Sequence, residues 1–406
     1  MEVYLVGGAV RDELLGFSVT ERDWVVVGAT PEEMCKAGFK PVGKDFPVYL
    51  HPTTHDEYAL ARIERKTAPG YKGFTVDADP AVSLEQDLLR RDLTVNSMAK
   101  DSDGNIIDPY NGMVDLRNKI LRHVSPAFRE DPVRILRVAR FAARYGHIGF
   151  TVADETMELM NSMVKAGEID ALVSERVWSE FVRALTEKTP TAFIEVLRDC
   201  GALAILFPEL DNLFGVPQNP HLHPEIDTGR HALMSLSQAS RLSIKSEIRF
   251  AALVHDIGKG LTTKDNLPNH PGHEEAGLIL LDTLCRRTRV PNEFKKLARN
   301  VIRYHEDIHQ VNELSAEQIV KILKSLDALK KNSSIDNFLL ACEADARGRK
   351  GFEQKSYPQA QVLKKCHAAA LSVDTKPLMN RGFSGQEIGE AISKLRIQSI
   401  SEYLHN

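Results

Sequence analysis

The sequence predicts a multidomain α+β protein: a small mixed α/β unit followed by an all-α body and two further all-α segments. Three observations carry this expectation. Up to about residue 125, apolar runs of strand length alternate with helical patterns. From Ala127 onward strand signals nearly vanish and helical periodicity takes over. At 406 residues the chain is too long for one ordinary core, so several domains are expected, divided as 1–125, 126–222, 223–330 and 331–406.

Composition narrows the class. With 43% hydrophobic and 27% charged residues, the chain reads as an ordinary soluble protein. No apolar run approaches the roughly eighteen residues a bilayer span requires, so no membrane partner is expected. The first apolar run carries Glu2 and reaches Arg11 without a signal-like cleavage region, and the expected location is the cytoplasm. Cys35, Cys200, Cys285, Cys342 and Cys366 are scattered, odd in number and form no C-x-x-C, which argues against a disulfide framework and a thiolate zinc site. A net charge of −4 does not advertise a nucleic-acid binder. A polyanionic substrate would need basic residues gathered locally, and 90–91, 134–144 and 345–350 are the arginine-rich stretches.

Val3–Val6 reads as a buried strand, Gly7 and Gly8 break it, and Ala9–Leu15 has helical spacing. The stretch matches neither G-x-x-x-x-G-K-[ST] nor G-x-G-x-x-G, so any phosphate chemistry here is of another kind. Glu21-Arg22-Asp23 runs into the strand Trp24–Val27. Residues two apart share a strand face, so two carboxylates stand side by side, and like charges so placed await a cation. An isolated E-x-D is more commonly a solvated strand edge. Glu57–Ile63 is a further expected strand, with Glu57 able to bring a third carboxylate.

Residues 64–83, rich in Gly, Pro and Lys, have the composition of a surface loop. In LRRDLTVNSMA (89–99) Arg90, Arg91 and Asp92 crowd before a Thr-x-Asn-Ser step, and a guanidinium fork suits triphosphate oxygens. GNIIDPYNGMVDL (104–116) reads as a strand and turn. The helix that follows Pro132 has an apolar face of Ile135, Leu136, Val138, Ala139 and Ala142 and a stripe of Arg134, Arg137, Arg140 and Arg144. Such a stripe is ordinarily a solvated face, and Asp131 suits a helix cap.

Short amphipathic helices are expected over 151–215, including 174–185, before a linker punctuated by Pro208, Gly215, Pro217 and Pro220 and running through HLHPEIDTGRH. Then come His231, His255-Asp256-Ile257-Gly258-Lys259, His273, His305 and Asp345. Imidazole and carboxylate ligands without thiolate suit borderline and harder divalent metals. In the helical tail, Ser384 to Glu387 fits a capping box.

The combination GGAVRD, E-R-D, RRDLTVNSMA, D-P-Y-N-G-x-x-D-L and E-D-P-V-R-I-L-R-V-A-R-F resembles the class II tRNA nucleotidyltransferases, the bacterial CCA-adding enzymes, over residues 3 to about 225. The histidines that follow resemble the HD phosphohydrolase domain of one bacterial subgroup. The resemblance implies a polymerase-β-like head, a helical neck and body, and an HD domain. It implies that Glu21 and Asp23, with Glu57, hold two Mg2+ ions, and that Gly8, Arg11 and Arg91 contact the nucleotide. Asp131 and Arg134 would read the base, with Arg137 and Arg140 as further nucleotide contacts.

In the HD domain, His255 and Asp256, then His231, with His273, His305 and Asp345, would bind a divalent transition metal such as Ni2+ or Mn2+. The implied activity is template-independent addition of C, C and A to tRNA from CTP and ATP, releasing pyrophosphate. A phosphatase and 2′,3′-cyclic phosphodiesterase activity for tRNA end repair would accompany it, in a monomer or homodimer. A poly(A) polymerase or a CC- or A-adding enzyme shares the head motifs; a phosphohydrolase with an RNA-binding head is the alternative of another class. The family usually has D-x-D where this chain has Glu21, one methylene longer.

Overall fold

The apolar run that opens the chain forms strand β1 (Glu2–Val6), followed by the helix Gly8–Leu14 and β2 (Asp23–Val27). Next come β3 (Lys40–Val42), β4 (Val48–Leu50), β5 (Glu57–Leu60), the pair β6 (Ile63–Lys66) and β7 (Phe74–Asp77), then β8 (Ala99–Lys100) and β9 (Ile106–Ile107). The computed structural model describes residues 1–19, 21–42, 48–66, 74–77, 79–330, 333–375 and 385–405. They fall into two compact units, Met1–Leu206 and Phe207–Asn406.

Seven strands of the first unit form one sheet of order β3-β4-β5-β2-β1-β8-β9. β2 lies antiparallel to β1 and parallel to β5, in a register that sets Asp23 opposite Glu57. Adjacent residues of β2 point to opposite faces, and both are covered. Val25 packs with Val6, Leu88 and Ala99, and Val26 with Met34, Tyr49 and Leu60. Burial on both faces fixes β2, and with it the carboxylates at its start.

Two sequence expectations change here. The strand expected over 57–63 stops at Leu60, because the Arg62 amide leaves the ladder to donate to Asp87 Oδ1 at 3.4 Å. The loop expected over 64–83 begins and continues as the antiparallel pair β6/β7, in register Ile63↔Asp77 to Lys66↔Phe74. Its Gly, Pro and Lys content masked the strands. After residue 125 the described residues hold one short strand, Thr151–Val152, which pairs in parallel with Ile120–Leu121. The helix Val133–Tyr145 buries its expected apolar face and packs against the helices Ser174–Thr186 and Thr191–Asp199.

The second unit is helical. Its central helices are Thr228–Leu242, Ser246–Val254, His273–Thr288, Asn292–His309 and Asp336–Arg347. Gly258 permits their close approach: a Cβ there would lie 1.8 Å from the His273 carbonyl oxygen. The stretch read as a linker is a hydrogen-bonded loop, since Gln218 N donates to Ile226 O at 2.8 Å, Gly215 N to Asp227 Oδ2 at 2.6 Å and Thr228 N to Val216 O at 3.0 Å. Its prolines and glycines shape turns rather than a tether. The expected capping residue Ser384 lies outside the described residues; the last helix is Gly385–His405. No described helix is long and apolar enough to cross a membrane.

Candidate active sites

One cavity of about 920 Å³ in the first unit is lined by Gly8, Arg11, Glu21, Asp23, Glu57, Arg91, Asp131, Arg134, Arg137 and Arg140, all the head and neck residues singled out from sequence. Its floor follows from β1 and β2. Gly7 turns the chain at φ +68°, where an L side chain is strained, and a Cβ on it would stand 2.8 Å from Arg91 Nη1. Glycine therefore lets the Arg91 guanidinium lie against backbone. Burial pushes the Asp23 carboxyl up, Arg91 draws it down and Glu21 pushes it up again, with a net rise. Among the described residues no cation stands within ion-pairing reach of Glu21, Asp23 or Glu57. Asp23, with Glu21 just before it and Glu57 opposite it in the β2/β5 register, and without a basic partner in reach among the described residues, completes a set of acidic oxygen ligands of the kind hard divalent ions take.

The arginines are not a solvated face. Arg137 Nε donates to Asp92 Oδ2 at 2.7 Å and Arg140 Nε to Glu180 Oε2 at 2.6 Å. Arg144 reaches Asp12 at 3.1 Å, and Arg11 donates to Asp12 and Asn96 and lies over the Phe141 and Tyr145 rings. Asp92 is fully buried, which alone would raise its carboxyl, yet Arg137 and Asn96 hold it well below the usual range.

Asp131 does cap the neck helix, accepting from Val133 N at 3.0 Å, but its carboxylate also takes both terminal nitrogens of Arg176, at 3.3 and 2.9 Å. Arg134 donates to the carbonyls of Ala127 and Arg90, which fixes the plane of its guanidinium. Arg176, Glu180 and Asp12 were missed from sequence. Arg176, Glu180, Arg183 and Glu187 recur at helical spacing and line the cavity, a pattern that marked them as one functional face.

In the second unit His231, His255, Asp256, His273, His305 and Asp345 converge, each nearly inaccessible to solvent. Backbone carbonyls orient the rings. Nδ1 of His255 donates to Ala252 O at 2.8 Å, of His273 to His270 O at 2.9 Å, of His305 to Val301 O at 2.9 Å and of His231 to Gly348 O at 3.2 Å. A carbonyl only accepts, so each ring presents Nε2 to the centre. His255 Nε2, His273 Nε2 and Asp256 Oδ1 are buried without a hydrogen bond. Orphaned donors of this kind fit a divalent metal.

Electrostatics point the same way. Burial disfavours charge on His255, but Asp256 and Asp345 overcome it and push the imidazole up to about 10. Two buried carboxylates thus require positive charge between them. Around the centre the structure adds partners the sequence did not reveal. Lys259 Nζ lies 2.7 Å from Asp256 Oδ2, His309 Nε2 donates to Asp345 Oδ2 at 2.6 Å, and Glu225 Oε1 is 3.0 Å from His231 Nδ1 and 3.1 Å from His223 Nδ1. Glu225 and His223 sit in the stretch read as a linker.

Comparison with known proteins matches residues 3–122 to the family described as Poly A polymerase head domain, 149–214 to the probable RNA and SrmB-binding site of polymerase A, and 228–331 to the HD domain. The chain is 60% identical over 402 residues to the multifunctional CCA protein of Thioalkalivibrio sulfidiphilus (strain HL-EbGR7), covering 99% of this chain and 98% of that protein. It is 59% identical over 401 residues to the multifunctional CCA protein of Methylococcus capsulatus (strain ATCC 33009 / NCIMB 11132 / Bath), covering 98% and 94%.

Its fold is shared with the Thermotoga maritima CCA-adding enzyme complexed with tRNA (TM-score 0.63, 20% identity, 99% of this chain and 87% of that one). The Bacillus stearothermophilus CCA-adding enzyme in complex with CTP is similar (TM-score 0.62, 21% identity, 99% and 89%). Identity at this level along nearly the whole length leaves one assignment: the chain belongs to the multifunctional CCA proteins, CCA-adding nucleotidyltransferases that carry an HD domain.

Proposed function

We propose that the protein adds C, C and A to the 3′ end of tRNA from CTP and ATP, without a nucleic-acid template, and that its HD site hydrolyses phosphate esters at damaged tRNA ends. The observation that carries the first part is the single cavity uniting three carboxylates, Arg91 and the Asp131/Arg134 pair. Glu21 and Asp23, assisted by Glu57, would hold two Mg2+ ions, which activate the attacking 3′ hydroxyl and offset charge on the departing pyrophosphate. Arg91 and Arg11 neutralise and orient the triphosphate beside the Gly7-Gly8 turn.

Asp131 accepts from the exocyclic amino group of cytosine or adenine, and Arg134 donates to the neighbouring ring nitrogen. Guanine and uracil present a carbonyl beside an N–H, so the same edge meets acceptor with acceptor and donor with donor. A matched bidentate contact is worth about 1–3 kcal/mol in comparable base readout. Arg137 and Arg140 keep that edge in place through Asp92 and Glu180. Glu21, just ahead of β2, stands where the resemblance leads one to expect aspartate, and a glutamate carboxylate is likewise a magnesium ligand.

In the second unit the six ligands would hold Ni2+ or Mn2+, which polarises a phosphate ester for hydrolysis. Phosphomonoesters and 2′,3′-cyclic phosphates are the substrates expected. Incubation with tRNA lacking its last three nucleotides tests the first reading: extension by C, C and A is expected, and a run of A residues would sink it. Asp23→Ala should abolish extension and His255→Ala only hydrolysis. Loss of every tRNA activity in His255→Ala alone would favour a phosphohydrolase with an RNA-binding head.

A further inference from the structure

Asp12 has surroundings that its own helix does not explain. Arg11 Nε donates to Asp12 Oδ1 at 2.9 Å, and Arg11 Nη2 lies 2.9 Å from the same oxygen. Consecutive residues of a helix point about 100° apart and do not ordinarily meet. The Arg11 side chain is turned back by its neighbours. Its guanidinium carbon lies 5.1 Å from the centres of both the Phe141 and the Tyr145 ring, and Nη1 donates to Asn96 Oδ1. Gly8 leaves room for it, since a Cβ there would stand 3.4 Å from Arg11 Nη2. Asp12 is buried and takes two further donors, both from the end of the helix Val133–Tyr145. The Tyr145 hydroxyl donates to Oδ1 at 2.7 Å and Arg144 Nη2 to Oδ2 at 3.1 Å.

These contacts close a circuit. Arg137 Nε donates to Asp92 Oδ2 at 2.7 Å, Asn96 Nδ2 to Asp92 Oδ1 at 2.9 Å and Arg11 to Asn96, after which Asp12 carries the chain to Tyr145 and Arg144. The circuit leaves the helix at Arg137 and returns roughly two turns later, about 10–12 Å along its axis. Its other side is the helix Gly8–Leu14 and the segment 92–96. Of the five N–H groups of the Arg11 guanidinium, Asp12 and Asn96 engage three, and the rest are left for the cavity that Arg11 lines.

We infer that Asp12 is a positioning residue that couples the two halves of nucleotide recognition, fixing Arg11 on the triphosphate side to the far end of the helix whose first turn carries Arg134. The inference rests on the proposed function for the roles of Arg11, Asp131 and Arg134, and adds how they act together. Over this length the helix moves as a rod. A base seated against Asp131 and Arg134 sets the position of Tyr145 and Arg144, and through Asp12 that of Arg11. A mismatched base leaves Arg11 off the phosphates, so discrimination falls on the chemical step rather than on binding.

Tyr145→Phe removes one donor to Asp12 and keeps the ring against Arg11. Full-length protein is given tRNA lacking its last three nucleotides, and the first incorporation is followed in single turnovers over a range of CTP or UTP. The maximal rate with CTP should fall about tenfold, the scale of one hydrogen bond to a charged group, while the half-saturating CTP concentration stays within about twofold. The rate with UTP, which never engages the coupling, should be unchanged. Asp12→Ala should lose at least as much, and adding Tyr145→Phe to it should cost nothing further, because the phenol acts through the carboxylate. Melting curves establish which variants fold, and if Asp12→Ala does not, Tyr145→Phe alone decides.

Unaltered discrimination between CTP and UTP in Tyr145→Phe overturns the coupling. An equal loss with both nucleotides, a loss confined to CTP binding, or full additivity of the two substitutions overturns it as well. A wild type that adds no C to this tRNA overturns the proposed function, and the coupling with it.

Discussion

Asp131 shows how a residue can satisfy a modest local role and a larger one together. Its cap on Val133 was visible from Asp before Pro; its bidentate partner Arg176 was not, because the pair is separated by 45 positions. Under the proposed function Arg176 is a positioning residue for the base-reading edge. Arg176→Ala should cut the preference for CTP and ATP over UTP and GTP by roughly tenfold, within the 1–3 kcal/mol of one bidentate contact, as read by single-nucleotide incorporation. Retained preference would show that Asp131 orients itself.

Asp92 makes a prediction about acid. Its carboxyl is held below its unfolded value, so its contribution is complete above about pH 4 and is lost as the pH falls toward the folded value. Asp92→Asn should lower stability by about 1–2 kcal/mol at pH 7, discounted because the Arg137 side chain is 37% exposed, and the difference from wild type should shrink below about pH 4. Denaturant titrations at pH 7 and pH 3 measure both. Glu21, Asp23, Arg91 and the histidines stood out in the sequence by residue type and motif, and the structure gathers the first three in one cavity and the histidines around a second centre. Glu180, Asp12 and Glu225 were not, because each matters only through a partner brought near by folding.

At the level of elements, β1, β2 and the arginine-striped helix emerged where periodicity was strong. The β6/β7 pair and the 212–227 loop did not, since strand pairing and turn hydrogen bonds leave little pattern in Gly- and Pro-rich sequence. The HD turn is held by contact rather than by propensity. Gly258→Ala would drive a Cβ into the His273 carbonyl and Gly277, so the first turn of the His273 helix must shift. Phosphate-ester hydrolysis should fall by about a hundredfold, the scale of an ångström-sized displacement, while CCA addition by the first unit persists. Equal loss of both activities would mean the damage is global.

For the molecule as a whole, the chain divides into two compact units, and the proposed function gives each its own chemistry. Chelator should lower the melting transition of the HD unit, and readdition of Mn2+ at about a hundred times its dissociation constant should restore about 2.7 kcal/mol. Calorimetry of the His255→Ala protein, which should lack that response, is the control. The division into α/β and helical regions was readable from periodicity, whereas the head's strand order was not, because pairing between β1 and β8 joins residues nearly a hundred positions apart.

The cavity in the first unit has ten arginines and seven carboxylates in its walls. Seven of those arginines, at 11, 90, 91, 137, 140, 144 and 176, already lean on acids of the same chain. Under the proposed function a triphosphate would enter by trading partners with resident carboxylates rather than by falling into a bare positive well. Such an exchange is buffered against the medium. Raising potassium chloride from 50 to 200 mM should change the KM for CTP by no more than about twofold, because the charges being traded lie within a Debye length of their counter-charges throughout. The pocket carries its own ionic atmosphere, built from side chains.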